Sequence, residues 1–143
     1  MSDDERVAGA KIAAKILNSM PAAKKKQLLE AIREKSAETY RQIEENILEF
    51  EDIVEIEERG VQLLIKEIEH RDLVLSLKLA STAVKAALFK GMSQNKAKVV
   101  KEDFEALPPT PRAEVEAAQK RIVLKIDELR TAGLIITGPE EVV

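Results

Sequence analysis

The sequence predicts an all-α protein, and three observations lead to that class. Apolar residues make up 45% of the chain but aromatic residues only 3%, so the core must be built from Leu, Ile, Val and Ala, as in packed helices. Between breaks, the apolar residues recur at spacings of three and four. The few Gly and Pro residues fall at those breaks. We expect a three-helix layer (1–48), joined by a hinge connector (49–56) to a charged bundle of about six helices (57–143).

The first layer contains the signals of three helices. The apolar residues of the first are Val7, Ile12, Ile16 and Leu17. This helix should end near Ser19, and Pro21 suits the first turn of the second helix, where a missing N–H is not needed. The apolar residues of the second and third helices are Leu28, Leu29, Ile32, Tyr40, Ile43 and Ile47. A break is expected near Ser36, and each helix should bury one stripe against the others. A layer this small buries little alone, so an apolar face around Ile12, Ile16, Leu29 and Ile32 should be left open for self-association.

The helical period is lost between Leu48 and Glu55. Acidic residues alternate there with Phe50, Ile53 and Val54. We interpret this stretch as an irregular connector, with the ring of Phe50 tucked against a neighbour. It is the predicted hinge, because short irregular connectors absorb dihedral change while packed layers move as rigid bodies.

The bundle is predicted to start with a helix near Glu57, where acidic residues suit the positive end of the helix dipole. The residues expected to face inward on this helix are Val61, Leu64, Ile65 and Ile68. A short helix over about 71–79 should bury Leu73, Val74 and Leu77. Ser81 and Ser93 have the position and chemistry of N-caps for the next two helices.

A long final helix is predicted after Pro108-Pro109 stops its predecessor. Thr110 and Pro111 are expected to be its N-cap and first turn, and Gly133 a left-handed C-cap. The inward stripe at helical spacing is Val115, Ala118, Ile122, Ile126 and Leu129. Residues 134–136 are then expected to form an extended tail that packs back before Gly138-Pro139.

Composition excludes several classes of function. The net charge is only −3 although 34% of residues are charged, so acids and bases are interleaved and no basic stripe for nucleic acid is present. The chain has no Cys, hence no disulfide and no thiolate metal site, which fits the cytosol. No apolar run is long enough to cross a bilayer, and the acidic start of the sequence has no export signal.

The sequence also lacks the patterns of an enzyme. The single His70 is interpreted as a helix-start or surface residue. The acidic stretch 44–58 lacks the ligand spacing and central Gly of a calcium loop, and there is no Gly-rich phosphate cradle. Glu102 and Asp103 are adjacent, so they diverge by about 100° around a helix and form no acid–base dyad. We predict a non-enzymatic protein without cofactor or metal. An enzyme on a helical scaffold is the least favoured reading, which a bound metal or nucleotide would support.

Six sequence blocks resemble, in order and spacing, the C-terminal region of the bacterial flagellar motor switch protein FliG. They are Phe-Glu-Asp-Ile (50–53), Glu-Glu-Arg-Gly-Val-Gln-Leu-Leu (57–64), Leu-Lys-Leu-Ala (77–80), Gly-Met-Ser-Gln (91–94), Lys-Glu-Asp-Phe (101–104) and Val-Glu-Ala-Ala-Gln-Lys (115–120). Upstream, Ala8-Gly9 and Ile16-Leu17-Asn18 are similar to the opening of the last armadillo-like layer of that family. The family's N-terminal and middle domains have no counterpart, which leaves open a fragment or a short, divergent relative.

The resemblance implies a rotor component at the cytoplasmic face of the flagellar basal body, acting in motility and chemotaxis. In that family the bundle presents a charged ridge to the stator protein MotA. The armadillo-like layers contact neighbouring copies and the switch protein FliM. The alternative is a FliG-like adaptor that binds motor or other cytoplasmic proteins without generating torque. Neither role involves nucleic acid or membrane insertion.

The resemblance also implies which residues form the ridge. Lys78 falls at the family's first ridge lysine, and Glu102 and Asp103 at its two ridge acids. Asn95 stands where the family usually has an arginine, and its neighbour Lys96 is a candidate substitute.

The last ridge position and the hinge depart from the family pattern. Pro111 stands at the last ridge arginine, with Arg112 beside it as a second candidate substitute. At the hinge, the family's Met-Phe-X-Phe is replaced by Ile47-Leu48-Glu49-Phe50, which keeps Phe50 but loses the first aromatic residue.

Overall fold

The computed structural model describes residues 3–136, except the side chains of Asp3 and Val7, and the regular structure in this range is entirely helical. This confirms the all-α class. The helices are α1 (Asp3–Asn18), α2 (Ala22–Lys35), α3 (Ala37–Glu44), a first 3-10 helix (Phe50–Glu55), α4 (Glu58–Glu67), α5 (His70–Ser76), a second 3-10 helix (Leu77–Leu79), α6 (Thr82–Lys90), α7 (Gln94–Glu105) and α8 (Arg112–Thr131). Contacts divide the chain into two compact units, Met1–Leu48 and Glu49–Val143.

The core of the first unit uses a different face of α1 from the one that carries Ile12 and Ile16. The buried residues are Ala10, Ala14, Leu17 and Ile43. Ile12 and Ile16 are 62% and 54% exposed, as expected for an apolar face left open on this layer. They lie two positions beyond Ala10 and Ala14, a rotation of about 200° around the helix. Leu29 and Ile32, expected on the same face, are half-buried against the core, so that part of the prediction is wrong. The small alanines face α3, which contacts α1.

Two buried polar side chains hold the end of the first unit. Asn18 Nδ2 donates to the carbonyl of Asn46 at 3.2 Å, and Asn18 Oδ1 accepts from the Leu48 N–H at 2.9 Å. Lys25 Nζ donates to the Leu48 carbonyl at 2.7 Å. The backbone at Leu48 is therefore satisfied on both its N–H and its C=O, as buried polar groups require.

The predicted irregular connector is largely a 3-10 helix, Phe50–Glu55. A 3-10 helix repeats every three residues, so Phe50 and Ile53 share one face, a period that a search for 3.6-residue repeats misses. Ile56 follows as the extended residue that ends the helix. Ile53 and Ile56 are buried and Phe50 is half-buried. The Glu49 N–H donates to Asp52 Oδ2 at 2.8 Å and supports the first turn. The hinge role of Phe50 stays a prediction.

The second unit is built around α8, which packs chiefly against α5 and also contacts α4 and both 3-10 helices. Every residue of the predicted α8 stripe is buried, as are the four inward residues predicted on α4 and the three on α5. The unit contains five α-helices and two 3-10 helices within the described residues. The helical periodicity therefore identified these buried stripes correctly.

Serine N-caps begin α6 and α7, as predicted. Ser81 Oγ accepts from the Val84 N–H at 3.2 Å, and Ser93 Oγ accepts from the Lys96 N–H at 3.1 Å. Ser36 likewise separates α2 from α3 and accepts from the Thr39 N–H.

The two prolines expected in first turns lie one position earlier. Pro21 and Pro111 are themselves the N-cap residues, with ψ angles of 145° and 137°, which are not helical. Thr110 is therefore not the N-cap of α8. Its hydroxyl donates to the Pro108 carbonyl at 2.9 Å, and α8 begins at Arg112.

Gly133 ends α8 in the left-handed conformation, with φ 75°, as predicted. Its N–H donates to the Arg130 carbonyl and the Leu134 N–H to the Leu129 carbonyl, both at 2.9 Å. These two bonds form a Schellman motif, which satisfies carbonyls that the helix end would leave unpaired.

The tail after Gly133 is anchored by one side chain. Ile135 is buried, while Leu134 and Ile136 are exposed. A Cβ placed on Gly60 would lie 3.3 Å from Ile135 Cγ2, so the tail packs against the first turn of α4. The predicted break at Gly138-Pro139 lies outside the described residues. Within the described range, no helix combines the length and apolarity needed to cross a membrane.

Candidate functional site

The exposed face of α7 carries the acidic and basic residues singled out in the sequence. Asn95 and Glu102 are seven positions apart, as are Lys96 and Asp103, and seven residues make about two helical turns. Each pair therefore lies along one line of the helix, and the two lines are adjacent. Val99 lies between them and is 46% exposed. This face offers charge of both signs around one apolar side chain.

His70, the first residue of α5, joins two of these charges. Its Nε2 lies 2.6 Å from Asp103 Oδ2 and its Nδ1 lies 3.1 Å from Lys96 Nζ. The side chains of His70 and Asp103 are 39% and 52% exposed. One imidazole thus fixes a lysine and an aspartate that are two turns apart. We call Lys96, His70 and Asp103 the histidine clasp.

The other predicted ridge residues make separate contacts. Lys78, in the second 3-10 helix, donates to the Pro108 carbonyl at 3.0 Å. Arg112 Nε pairs with Glu116 Oε1 at 2.8 Å along the first turn of α8. Glu102 is exposed and forms no ion pair with any described residue. Only Lys96 and Asp103 of the predicted set are therefore brought together by a shared partner.

Two ion pairs join α5 to α8. Arg121 holds the buried Asp72 through three hydrogen bonds of 2.9–3.1 Å. The side-chain hydrogen bonding to Asp72 raises the pKa of the Arg121 guanidinium. Arg71 Nη2 lies 2.9 Å from Glu114 Oε1. Both pairs link the first residues of α5, beside His70, to α8.

Two lysines of the second unit lie over aromatic rings. Lys101 Nζ is 5.3 Å from the centre of the Phe89 ring, and Lys85 Nζ is 5.8 Å from that of Phe104. Such contacts hold a cation at a defined place on the surface. The described residues contain no cluster of three or more His, Asp or Glu side chains suited to a metal ion.

His70 is the residue that sequence reasoning missed. The sequence indicates a helix-start or surface histidine, and His70 does begin α5. Its partners lie 26 and 33 positions away, so no local spacing reveals the contact. Only the packing of α5 against α7 brings the three side chains together.

Comparison with known proteins identifies the family. The family model described as FliG C-terminal domain matches residues 30–136. The chain belongs to the FliG C-terminal domain family. This confirms the resemblance seen in the sequence blocks. The FliG family consists of motor switch proteins and is not an enzyme family.

Curated FliG proteins are similar over nearly the whole chain. The flagellar motor switch protein FliG of Thermotoga maritima is 33% identical over 141 residues, covering 96% of this chain and 42% of the relative. FliG of Pseudomonas aeruginosa is 35% identical over 130 residues, covering 91% and 38%. The chain therefore spans about two fifths of the length of these relatives.

A solved structure of FliG supports the same fold. The crystal structure of a segment of FliG from H. pylori is 26% identical in sequence, with a TM-score of 0.65. It covers 90% of this chain, which in turn covers 56% of that structure.

Proposed function

We propose that this chain is a rotor component of the bacterial flagellar motor switch and contacts the stator protein MotA through charges of its second unit. Lys78, Glu102 and Asp103 are the proposed contact residues, and Lys96 and Arg112 are candidate substitutes for family arginines. The chain would act at the cytoplasmic face of the basal body. The first unit would contact neighbouring rotor subunits, either copies of this chain or FliG, and the switch protein FliM.

The observation that carries the proposal is the exposed mixed-charge face of α7, within a chain of the FliG C-terminal domain family. Glu102 and Asp103 are both exposed there, and Lys96 is two turns from Asp103. Charges arranged this way set register and association rate more than affinity.

A torque-free adaptor is the second candidate, and two observations favour it. Asn95 and Pro111 place no positive charge at two ridge positions. The ammonium group of Lys78 is already bonded to the Pro108 carbonyl, which a partner would have to displace. Under this alternative, the same face binds a protein partner without moving it.

Reversing a ridge charge should impair swimming. The Glu49–Val143 unit would be grafted onto the rest of the rotor protein in a strain that lacks its own bundle, and swimming speed measured. Asp103→Lys and Lys78→Glu should each slow swimming, because each removes an ion pair worth up to about 1 kcal/mol and adds a repulsion. Contact should also weaken at high salt, since the Debye length falls from about 10 Å at 0.1 M to about 3 Å at 1 M.

Matched variants separate the two candidate functions. Glu128→Lys, an equal charge change on the exposed surface of α8, should leave swimming unaltered. Asn95→Arg with Pro111→Arg should increase torque unless Lys96 and Arg112 already substitute. A graft that swims normally with both ridge reversals would refute stator contact by this face and favour the adaptor.

The first unit is predicted to self-associate through an open apolar face. Ile12 and Ile16 are exposed on α1 and form this face, whereas Leu29 and Ile32 are half-buried against the core of the unit. Stacked or domain-swapped dimers would cover such surface. Ile12→Glu with Ile16→Glu should therefore shift sedimentation toward the monomer. Leu134→Glu, at an equally exposed apolar residue, should leave it unchanged. A parent chain that stays monomeric at high concentration would contradict this prediction.

A further inference from the structure

The histidine clasp is consistent with one protonation state of His70. A neutral imidazole has one N–H donor and one acceptor nitrogen. The Asp103 carboxylate can only accept, so Nε2, at 2.6 Å, must donate. The Lys96 ammonium can only donate, so Nδ1, at 3.1 Å, must accept. Both contacts are therefore satisfied by the neutral imidazole with its proton on Nε2.

We propose that His70 is a positioning residue that holds Lys96 and Asp103 in place while its imidazole is neutral and releases Lys96 when it is protonated. A proton on Nδ1 would set two donors against each other across 3.1 Å. The hydrogen bond to Lys96 would be lost, while the contact with Asp103 would become an ion pair. Lys96, at the first turn of α7, would then be free to turn toward solvent.

Besides Lys96 and Asp103, charged groups lie on the elements that contact α5 and on the segment before it. On α7 these are Lys98, Lys101, Glu102 and Glu105, which are exposed. Glu114 and Arg121 on α8 pair with Arg71 and Asp72, and Lys78 in the second 3-10 helix bonds the Pro108 carbonyl. The charged residues that precede α5 are Lys66, Glu67 and Glu69, which are exposed.

Opening the clasp would change the charge of the α7 face. With a neutral imidazole, Lys96, His70 and Asp103 carry no net charge, and with a protonated imidazole they carry one positive charge. Histidine is the side chain that makes this change between about pH 5 and pH 8. This consequence for the motor rests on the proposed function. The clasp itself does not depend on it.

The clasp can be tested on the full chain by NMR of the lysine ammonium groups. Lys98, on the same helix, is exposed and forms no hydrogen bond or ion pair with another described residue, so it serves as the internal reference. At pH 8 the Lys96 ammonium should exchange its protons with water about tenfold more slowly than that of Lys98, the protection expected from a charged hydrogen bond. At pH 5 the two rates should be similar. His70→Phe should make them similar at both pH values.

The opposite results are equally clear. A Lys96 rate equal to that of Lys98 at pH 8, or the same protection at pH 5 as at pH 8, would overturn the proposal. Because the chain contains a single His, the imidazole signals are unambiguous, and protonation of Nδ1 at pH 8 would also overturn it. Swimming of the grafted parent and of His70→Phe at lowered internal pH is a separate measurement. Equal swimming with intact Lys96 protection would keep the clasp and count only against the stator role of this face.

Discussion

Replacing Ile53 with alanine should lower the free energy of unfolding of the Glu49–Val143 unit by about 2–5 kcal/mol. Its side chain is completely buried. It lies in the middle of the first 3-10 helix, which packs against α6 and α8. The cost has two parts, the lost transfer of apolar groups from water and the cavity left between elements that cannot close on it. Urea denaturation followed by circular dichroism measures the change.

Neighbouring positions on the same short helix provide the controls. Val54→Ala should cost much less, because Val54 is 45% exposed. Phe50→Ala should fall between the two, since its ring is only half-buried. The expected loss of stability for Phe50→Ala is below the loss of about 3–5 kcal/mol that a fully buried phenylalanine would give. Equal losses for Ile53→Ala and Val54→Ala would show that the 3-10 helix is not anchored through Ile53.

Gly91→Ala should destabilise the same unit by about 1–3 kcal/mol through overpacking. A Cβ at Gly91 would lie 2.6 Å from Val61 Cγ1 and 3.3 Å from the backbone nitrogen of Gln62. Val61 is itself buried, and its branched side chain has little rotamer freedom. The loop between α6 and α7 would have to move away from α4 to make room. Chemical denaturation of the variant gives the loss directly.

The reason for this loss can be checked with a second glycine and a double mutant. Gly9 in α1 has nothing within 4 Å of its would-be Cβ, so Gly9→Ala should stabilise the helix by about 0.5–1 kcal/mol. In a Val61→Ala background, Gly91→Ala should cost less than in the parent, because the contacting methyl group is gone. If the cost of Gly91→Ala is the same in both backgrounds, the clash with Val61 is not its cause.

The sequence by itself determined the all-α class, the buried stripes of α4 and α8 and several helix ends. These features depend on local chemistry. Residues at spacings of three and four on α4 and α8 can share only one face of a helix. Ser81 and Ser93 satisfy N–H groups within three residues of themselves. Gly133 takes a backbone conformation that most side chains disfavour. None of these outcomes depends on a distant partner.

The first unit and the short helix show where sequence periodicity was insufficient. On α1, Ala10 and Ala14 lie in the core, and their small side chains give no strong apolar signal in the sequence. They are buried because small side chains allow close packing against α3. At Phe50–Glu55, the sequence shows no 3.6-residue repeat and therefore predicts an irregular connector. The segment is a 3-10 helix, which packs on α6 and α8.

For the candidate site too, the sequence predicts one part and tertiary packing decides the other. The positions of Lys96, Glu102 and Asp103 on one face of α7 follow from the sequence, because seven residues make about two helical turns. The link through His70 does not, because α5 and α7 must first pack for atoms 33 positions apart in the chain to approach within 2.6 Å. Local spacing sets which charges share a helix face, and only tertiary packing determines which of them share a proton-bearing partner.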